Sequence, residues 1–559
     1  MTHRGTVLSM IAVTLLFTVV TATAQIYTPL YTYPGTSNNT SGITWPGLMS
    51  QGQDGGLYGT DLSNGAHNFG SVYKMTTAGQ YTPLYSFCSQ AGCADGAAPY
   101  GGVTLGTDGD LYGTTGGGGV CDQGVGTIFK VTPAGAWTKL WDFTAGTPCG
   151  KYKNLKDEGY PYYPPFEGQD GNFYGTDAGV YSGTYGVFYK ITPKGKLSAY
   201  PFTYTNGALP NLPTQGTDGN FYGTAQVGGD KTCICGVVYK ATSAGKITVL
   251  HKFTGYPSDG YRPTGVLVQG NDGDFYGTTY YGGSNNLGTL FKISSTGTFT
   301  LIHSFTGYPD GAYPETGLTL GTDGNFYGTT LVGGANNGGT IYRLTPAGVE
   351  TVLYSFCAIA GCTDGLYPQT PLVQHTTGKF YGNTSGNSLG GSVFYSFDMG
   401  LGPFAQLVLW SGKVGTTAEI LGQGLTGTSS VSFSGVPATF KVVSATYLTA
   451  TVPVGANTGS VSVVTSTGTL TSSHIFLVVP TIKTFSPSSG PVGTPVTITG
   501  SGLIQATAVT FGGGKAAAFT VNSDSQITAT VPTGAKTGKI VVATPGGKAT
   551  SATNFTVTP

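Results

Sequence analysis

Along most of the chain, apolar residues alternate with polar residues or form short runs, and Gly, Pro, Asn and Asp separate these runs. The segment 314–356 shows the pattern: ETGLTLGTDG, NFYGTTLVGGANNG, GTIYRLTPAG and VETVLYSF each carry one run. A period of two between turn residues is typical of short β-strands. The pattern therefore predicts four strands in this segment, and no helical periodicity follows residue 24.

The same four-strand pattern recurs around versions of GxDGxFYGT. The repeats are anchored at Asp54, Asp108, Asp170, Asp218, Asp272, Asp323 and Thr377, which lie 48 to 62 residues apart. Repeats of this length suit one four-stranded unit each, and a ring of such units leaves few exposed sheet edges. We predict an all-β chain whose first domain, residues 25–400, is a seven-bladed β-propeller.

Closing such a ring usually requires one blade built from both ends of the domain. The segment Tyr27–Tyr31 repeats the fourth-strand sequence Tyr81–Tyr85, but no first, second or third strand precedes it. The seventh repeat lacks a fourth strand of its own. We therefore expect the N-terminal strand to complete blade seven, with the strand Phe404–Trp410 as the competing candidate.

Two acidic positions recur with the repeats. The Asp-Gly pairs predict two-residue type I′ hairpin turns, so we interpret their aspartates as turn residues; calcium binding at strings such as 271–274 is the alternative. A second set stands four residues before a proline, and Asx turns explain it. Its members are Asp95, Asp157, Asn206, Asp259, Asp310 and Asp364. His251 and His303 occupy an aromatic position of the repeat, so we interpret both as packing residues.

The N-terminal segment and the overall composition indicate an exported protein. Arg4, an apolar stretch at 7–20 and Ala22-Thr23-Ala24 predict a signal peptide, residues 1–24, cleaved after Ala24. No later apolar run reaches the roughly 18 residues of a membrane helix. The 25 basic and 25 acidic residues balance and form no basic cluster, which argues against a nucleic-acid partner. We expect a secreted monomer without cofactor or resident metal.

Eight cysteines in an exported chain predict disulfides. Cys88 with Cys93 and Cys357 with Cys362 each close a small loop that follows LYSF. Cys121 and Cys149 both belong to loops opposite the hairpin turns, so a bridge between them is feasible. Cys233 and Cys235 remain, and we favour a disulfide-closed loop over a redox site.

After about residue 400 a different pair of units begins. Gly412, Gly415, Gly422 and Gly424 are matched by Gly490, Gly493, Gly500 and Gly502, and Val/Thr alternation predicts two immunoglobulin-like β-sandwich domains, 401–480 and 481–559. The string SPSSGPVGTPVTITGSGL, residues 486–503, resembles the IPT/TIG family, and SGKVGTTAEILGQGL, residues 411–425, is a weaker copy. That resemblance implies spacer or interaction modules.

The repeats themselves resemble the GloVer tandem-repeat family of secreted bacterial proteins. The similarity lies in the Gly-rich DGxxYGT core, in GTVYK-like strands such as GVVYK at 236–240, and in the LYSF-like strand. It spans residues 26–399. The resemblance implies fold and export and does not imply an activity.

The largest departure from the repeat is the loop KYKNLKDEGYPYYPPFE, residues 151–167, where charges and tyrosines concentrate. Tyrosine faces beside charged groups suit sugar rings, so we predict a surface for an extracellular glycan or protein partner. A solvated loop that packs over its neighbours is the alternative. The predicted ligand-binding residues are Lys151, Lys153, Tyr160, Tyr162, Tyr163, Tyr181, Tyr185, Tyr261, Tyr280, Tyr281, Tyr308 and Tyr313.

An enzymatic interpretation stands beside the binding one. A polysaccharide hydrolase or lyase on the same domain would use Glu158 or Glu315 as the acid. Asp157, Asp259 or Asp310 would then be the partner carboxylate, since glycoside hydrolysis needs two carboxyl groups flanking the substrate. We favour the noncatalytic binder, because most of the acids recur at equivalent turn positions.

Overall fold

The structure is a computed structural model that describes residues 25–33, 47–62, 64–119, 125–143, 161–179, 185–230, 233–386 and 391–559. These residues form β-strands, turns and three short 3₁₀ helices, Ala91–Cys93, Ala360–Cys362 and Leu425–Gly427. The all-β prediction is confirmed. Within the described residues, no helix has the length and apolar character needed to cross a bilayer.

Between Ile26 and Asp398 the described residues form seven successive main antiparallel sheets, numbered here 1 to 7, with strands numbered one to four across each sheet. Sheet 1 is Ser50–Gln51, Leu57–Asp61, Ser71–Met75, Tyr81–Ser86. Sheet 2 is Val103–Leu105, Leu111–Thr115, Thr127–Val131, Trp137–Asp142. Sheet 3 is Phe166–Glu167, Phe173–Asp177, Val187–Ile191, Leu197–Pro201. Sheet 4 is Ala208–Pro210 with Thr214–Gln215, Phe221–Val227, Val237–Ala241, Ile247–Lys252.

Sheets 5 to 7 follow the same order. Sheet 5 is Val268–Gln269, Phe275–Thr279, Thr289–Ile293, Phe299–Ser304, and beside it Gly260–Tyr261 pairs with Tyr281–Gly282. Sheet 6 is Thr319–Leu320, Phe326–Thr330, Thr340–Leu344, Glu350–Ser355. Sheet 7 is Leu366–Pro368 with Val373–Gln374, Phe380–Gly386, Ser392–Asp398, Ile26–Tyr33. The Asp-Gly and Thr-Pro-x-Gly turns lie at one end of these sheets, the hairpin end, and the longer loops lie at the other, the loop end.

The Asp-Gly turns differ from the predicted type I′ turns. In sheet 1 the Gly55 amide donates to the Gly52 carbonyl at 3.1 Å, which places Gln53 and Asp54 at the central positions. Only Gly55 has a positive φ, 76°. This is a type I turn followed by a left-handed glycine. The right-handed conformation of Asp54 lets its carboxylate accept the amide of Gly56 at 3.0 Å.

The aspartate of each Asp-Gly turn is bound within its own sheet. Asp170, for example, accepts hydrogen bonds from the Asn172 amide (3.2 Å) and the Tyr174 hydroxyl (2.8 Å), and pairs with the Lys190 ammonium at 2.7 Å. Four other turns have the same lysine pair: Asp54–Lys74, Asp108–Lys130, Asp218–Lys240 and Asp272–Lys292. These contacts account for the recurrent aspartates as structural residues.

The glycine of the FYGT motif makes room for an aromatic ring. Gly328 pairs across the sheet with Tyr342 on the third strand. A Cβ atom on Gly328 would lie 2.5 Å from the Tyr342 Cζ, well inside van der Waals contact. The same cross-strand relation joins Gly175 to Tyr189 and Gly223 to Tyr239. In these pairs the tyrosine ring of the third strand therefore occupies the space that a side chain at the second-strand glycine would need.

A recurrent hydrogen bond joins neighbouring sheets at the hairpin end. The Thr217 amide donates to the Gln269 side chain of the next sheet at 2.9 Å, and the Thr322 amide donates to Gln374 at 3.0 Å. The Thr376 amide of sheet 7 makes the same bond to Gln51 of sheet 1, at 2.9 Å. The last sheet is therefore a neighbour of the first.

The N-terminal strand completes sheet 7. Ile26–Tyr33 pairs antiparallel with Ser392–Asp398, as predicted. The competing segment contributes Gln406–Leu407, which pairs with Thr417–Leu421 in the next unit instead. The prediction of the closing strand is confirmed.

Two further units follow, each with two main sheets around one core. The first consists of Gln406–Leu407, Ser411–Gly412, Thr417–Leu421, Ser430–Phe433, Val436–Ala438, Phe440–Val442, Tyr447–Thr451, Val461–Thr465, Gly468–Thr471 and Leu477–Val478. The second consists of Thr481–Ser486, Ser489–Gly490, Pro495–Ser501, Ala508–Phe511, Lys515–Ala516, Phe519–Ser523, Gln526–Thr530, Gly538–Thr544 and Gly547–Val557. Equivalent aromatic pairs, Phe433–Phe476 and Phe511–Phe555, lie edge-on in the two cores.

The first of these units packs against the hairpin end of the sheets. The Thr446 hydroxyl donates to the Gln53 backbone carbonyl at 2.7 Å, and the side-chain amide of Gln423 donates to the Thr376 hydroxyl at 2.8 Å. Both contacts lie where sheets 7 and 1 meet. Part of the hairpin end is thus covered by the next unit.

Three predicted disulfides are present: Cys88–Cys93, Cys233–Cys235 and Cys357–Cys362. All three lie in loops at the loop end. The predicted pair Cys121 and Cys149 lies outside the described residues, as do residues 1–24.

Candidate functional site

Two classes of loop meet at the loop end, one joining strands two and three and one joining successive sheets. They are hydrogen-bonded to each other: the Tyr280 amide donates to the Arg262 carbonyl at 3.0 Å, and the Leu331 amide donates to the Tyr313 carbonyl at 3.1 Å. In these two places the backbone of the inter-sheet loop is thus held against the following sheet.

The residue before each repeat proline has an uncommon backbone conformation. Its φ is positive, between 53° and 57°, although residues before proline favour extended conformations and bulky residues rarely take positive φ. The described members of this set are Ala98, Leu209, Arg262, Tyr313 and Tyr367.

Hydrogen bonds on both sides hold this conformation. The Arg262 amide donates to the Cys235 carbonyl of the preceding sheet at 3.0 Å, and its carbonyl accepts from the following sheet. The Tyr313 amide is held likewise by the Leu287 carbonyl at 2.8 Å. Strained residues held by their surroundings concentrate at functional sites, so this position draws attention to Arg262, Tyr313 and Tyr367.

Four tyrosines gather around one of these strained positions and are called the tyrosine cluster: Tyr261, Tyr280, Tyr281 and Tyr313. Their ring centroids are 4.6 to 5.6 Å apart. The Arg262 guanidinium lies over the Tyr280 ring, 5.7 Å from its centroid. Tyr261 and Arg262 are exposed, so the cluster presents both ring surface and a cation to solvent.

A buried carboxyl group belongs to the same region. Glu315 accepts a hydrogen bond from the Gln369 amide at 3.1 Å. Burial raises the pKa of Glu315, and the Arg262 cation opposes that rise. The Nε atom of Arg262 lies 3.4 Å from Oε1 of the Gln226 side chain. Aromatic, cationic, amide and carboxyl groups therefore lie together.

Tyr162 and Tyr163 differ sharply although they are neighbours in sequence. Tyr162 is 41% exposed, and its ring lies 5.6 Å from the Tyr100 ring. The Tyr163 hydroxyl lies within hydrogen-bonding distance of Asn211 Oδ1 (3.3 Å) and the Thr264 carbonyl (3.2 Å), and burial raises its pKa. Tyr163 therefore joins sheets 3, 4 and 5 and offers little surface to a ligand.

The other described tyrosines lie apart from the cluster or at its margin. Tyr308 is 73% exposed and lines a shallow hollow of about 460 Å³ together with Tyr313 and Val332. Tyr185 packs edge-on against Tyr204, with ring centroids 5.9 Å apart. The predicted Lys151, Lys153, Asp157, Glu158, Tyr160 and Tyr181 lie outside the described residues.

Asp259 and Asp310, two described members of the second acidic set, do not form the predicted Asx turns. Asp259 accepts hydrogen bonds from the Thr254 and Gly255 amides, four to five residues earlier, at 2.7 and 2.9 Å. It also binds His251 Nε2 at 3.0 Å. These carboxylates hold the preceding loop in place by accepting hydrogen bonds from its backbone amides. A His or Tyr side chain of strand four binds the same carboxylate. Asp310 and His303 repeat the arrangement, with 2.9 Å between Nε2 and Oδ2.

Four residues at the loop end escaped sequence reasoning: Arg262, Gln226, Gln369 and Tyr367, the last 42% exposed. One signal was available. Arg262 and Tyr367 directly precede the repeat proline, a position whose composition varies while the proline stays. Gln369 has no comparable signal, because its role depends on Glu315, 54 residues earlier in the chain.

The family model for the Gloeobacter/Verrucomicrobia repeat matches residues 14–159 and 160–395, which is more than half of the chain. The chain belongs to this repeat family. The IPT/TIG domain model matches residues 480–557. Both resemblances drawn from the repeat motifs and from the string at 486–503 are confirmed. A search of curated protein sequences gives no significant match.

Solved structures give distant matches. A surface glycan-binding protein from Prevotella bryantii is 20% identical over 26% of this chain and 38% of its own, with a TM-score of 0.21. A protein from a xyloglucan utilization locus of Bacteroides uniformis is 21% identical over 26% and 46%, with a TM-score of 0.15. A fungal alcohol oxidase of the AA5 family is 11% identical over 96% and 100%, with a TM-score of 0.37. At these TM-scores none of the matches supports an inference about function.

Proposed function

We propose that this repeat-family chain is an exported, noncatalytic binding protein whose loop end engages an extracellular glycan. In this proposal residues 25–400 form a closed seven-bladed propeller, and 401–480 and 481–559 are immunoglobulin-like sandwiches that extend it. The bond from Thr376 to Gln51, which repeats the bond between other neighbouring sheets, supports closure of the ring.

The disulfides support the proposed location. Three disulfides lie within the described residues, and disulfides persist mainly in oxidising compartments outside the cytosol. Together with the apolar segment and small-residue cleavage site before residue 25, they favour export followed by removal of residues 1–24.

The tyrosine cluster carries the binding proposal. Tyrosine rings offer flat apolar surface with a polar hydroxyl, and sugar rings present C–H faces edged by hydroxyls, so the two surfaces are complementary. Arg262, Gln226 and Gln369 supply hydrogen-bonding groups beside the rings. Pocket sites commonly combine apolar walls with a few such placed polar groups.

The hydrolase or lyase alternative loses two of its candidate carboxylates. Asp259 and Asp310 are engaged by a histidine and by amide or hydroxyl groups of their own loops. Their contacts are the ones that the repeat requires at equivalent positions. Glu315 remains a buried carboxyl group at the proposed surface, and a partner for it would have to come from Asp157 or Glu158.

The test is affinity electrophoresis of the mature protein through gels containing soluble β-glucan, xylan, galactomannan or pectin, with product release assayed in parallel. We expect retardation in one polymer, reduced at least tenfold in Tyr261→Ala and Tyr281→Ala. The control is Tyr256→Ala, because Tyr256 is 61% exposed and lies outside the cluster. Retardation unaffected by both cluster variants would contradict the proposal, and release of product would establish an enzyme instead.

A further inference from the structure

A cluster of three metal-ligating side chains lies at the outer edge between sheets 5 and 6. His303 is near the end of the fourth strand of sheet 5, and Glu350 begins the fourth strand of sheet 6. Asp310 comes from the loop between the two sheets. One ligand atom from each side chain lies within 4.8 Å of the other two. The repeat accounts for the His303–Asp310 pair, which matches His251–Asp259, but neither the repeat nor the proposed binding surface accounts for Glu350 beside that pair.

The other junctions between sheets show that this one is exceptional. In sheets 3 and 4 the residues equivalent to Glu350 are the aliphatic Leu197 and Ile247. At three other junctions the strand-four side chain stacks on an aromatic ring of the next sheet. Tyr85 stacks on Trp137, His251 stacks on Phe299 and Tyr354 stacks on Tyr27, with ring centroids 5.7, 3.8 and 4.2 Å apart. Where those junctions have a ring, the junction of sheets 5 and 6 has the carboxylate of Glu350.

This carboxylate is not satisfied by the protein. Its Oε1 atom is buried and has no hydrogen-bond partner among the described residues. A buried carboxylate oxygen without a partner is costly, so the position calls for a compensating cation. His303 contributes its Nε2 and Asp310 its carboxylate to the same place, which is the donor set of a metal centre.

Asp310 is held in position by a second layer of hydrogen bonds. Its Oδ1 accepts from the Thr306 amide at 3.0 Å and from the Thr306 hydroxyl at 2.7 Å. Such supporting bonds orient the carboxylate ligands of metal sites. The remaining oxygen, Oδ2, lies 2.9 Å from His303 Nε2, and an ion between the two would replace that hydrogen bond.

We propose that His303, Asp310 and Glu350 bind a divalent first-row transition ion of the Zn²⁺ type. One nitrogen and two carboxylate oxygens serve as ligands, and water completes the coordination shell. The ion joins the outer strands of sheets 5 and 6, the role that stacked rings have at three other junctions, and neutralises the Glu350 carboxylate, whose Oε1 atom is buried.

The test is titration of untagged, chelator-treated mature protein with ZnCl₂ by isothermal calorimetry, with Tm measured in parallel. We expect one saturable site and a Tm that rises with Zn²⁺, because an ion that binds only the folded state stabilises it. Glu350→Gln is expected to weaken binding at least tenfold. The matched control is His251→Gln, because the His251–Asp259 pair faces Phe299 and has no third metal-ligating side chain among the residues that the structure describes.

A second variant separates loss of the ion from loss of the fold. Glu350→Phe places a ring at the position that Phe299 occupies in sheet 5, so it should abolish Zn²⁺ binding while the protein still unfolds cooperatively. Absence of saturable binding in the unsubstituted protein would overturn the proposal. So would a site that persists unchanged in both Glu350 variants, since the ion would then lie elsewhere.

Discussion

The two ends of the sheets use the same residue types in opposite ways. At the hairpin end, each recurrent aspartate is bound by an amide, a tyrosine hydroxyl and usually a lysine of its own sheet. At the loop end, Arg262 and Glu315 lie among tyrosines and amides contributed by different sheets. Recurrence thus marks local structure, and departure from the repeat marks the places where groups from several sheets converge.

The same contrast holds for backbone conformation. Positive φ at the hairpin end falls on glycine, such as Gly55 at 76°, where it costs little. At the loop end it falls on Arg262 and Tyr313, where it is strained and is held by hydrogen bonds to two sheets. The strain therefore coincides with the side chains of the proposed binding surface.

The largest expected effect concerns Gly328, the glycine of the FYGT motif in sheet 6. Gly328→Ala should destabilise the protein by about 3 kcal/mol, because the new methyl group would meet the Tyr342 ring. Thermal and urea unfolding would measure the loss. Gly402→Ala is the control, since a Cβ atom there meets no atom within 4 Å. Equal stability of the two variants would contradict this account of the FYGT motif.

Breaking one hairpin-end aspartate should lower stability without affecting the loop end. Asp170→Asn removes the charge that binds Lys190 and Tyr174, and should cost about 1–2 kcal/mol. Retardation in glycan gels should stay unchanged. A large loss of binding in Asp170→Asn, with the fold intact, would contradict the proposal that the hairpin-end aspartates are structural and that the loop end binds the glycan.

The same residue gives a prediction for acid. Although burial opposes it, hydrogen bonds from Lys190 and Tyr174 lower the pKa of Asp170 below its usual value of about 4. Its stabilising contribution is therefore present above about pH 4 and is lost as pH falls through the folded-state pKa. Asp170→Asn should show a smaller loss of stability than the unsubstituted protein on acidification below about pH 4. Parallel acid transitions would contradict this expectation.

Relieving strain at the loop end should affect binding more than stability. Arg262→Gly removes the cation over Tyr280 and suits the φ of 55°, so the free energy of unfolding should change by less than about 1 kcal/mol. Glycan affinity should fall severalfold in the same variant. Unfolding and gel retardation, measured on one preparation, check the predicted stability and the predicted affinity. If Arg262→Gly lost stability but kept its glycan affinity, Arg262 would be a structural residue and not a binding residue.

The last expected effect appears only as a change of stability with pH and lies in the unit that covers the hairpin end. Burial raises the pKa of Glu419 to about 7, with repulsion from Glu167 adding to the rise. The folded state therefore holds this proton more tightly than the unfolded state, whose glutamates titrate near about pH 4.3. Stability should fall as pH rises from about 4.3 to 7, and Glu419→Gln should reduce that slope in thermal unfolding. Identical pH slopes would contradict the assignment.

The all-β class and the repeats could be predicted from the sequence because the repeat period and the alternation are strong, local signals. The fourth strand before Tyr33 was visible as a copy of Tyr81–Tyr85, so its pairing in sheet 7 could be predicted. The turn type could not, since Asp-Gly suits several hairpin turns and the choice depended on the amide and hydroxyl bound by Asp54.

The candidate site was predictable only in part. Tyrosines such as Tyr261 and Tyr281 could be picked out as departures from the repeat. Their meeting with Tyr313 and Arg262 depends on loops of different sheets, a contact between distant segments. Tyr163 looked similar in sequence, but its hydroxyl is directed at Asn211 and Thr264 inside the molecule. The facing of Glu350 and His303 likewise depends on how two sheets pack.

The most direct test of the contrast between the two ends is one affinity-gel experiment that compares Tyr281→Ala with Asp170→Asn in the polymer that retards the unsubstituted protein. We predict that retardation is lost in Tyr281→Ala and retained in Asp170→Asn, although Asp170→Asn is the less stable variant. Loss in Asp170→Asn and retention in Tyr281→Ala would contradict the account.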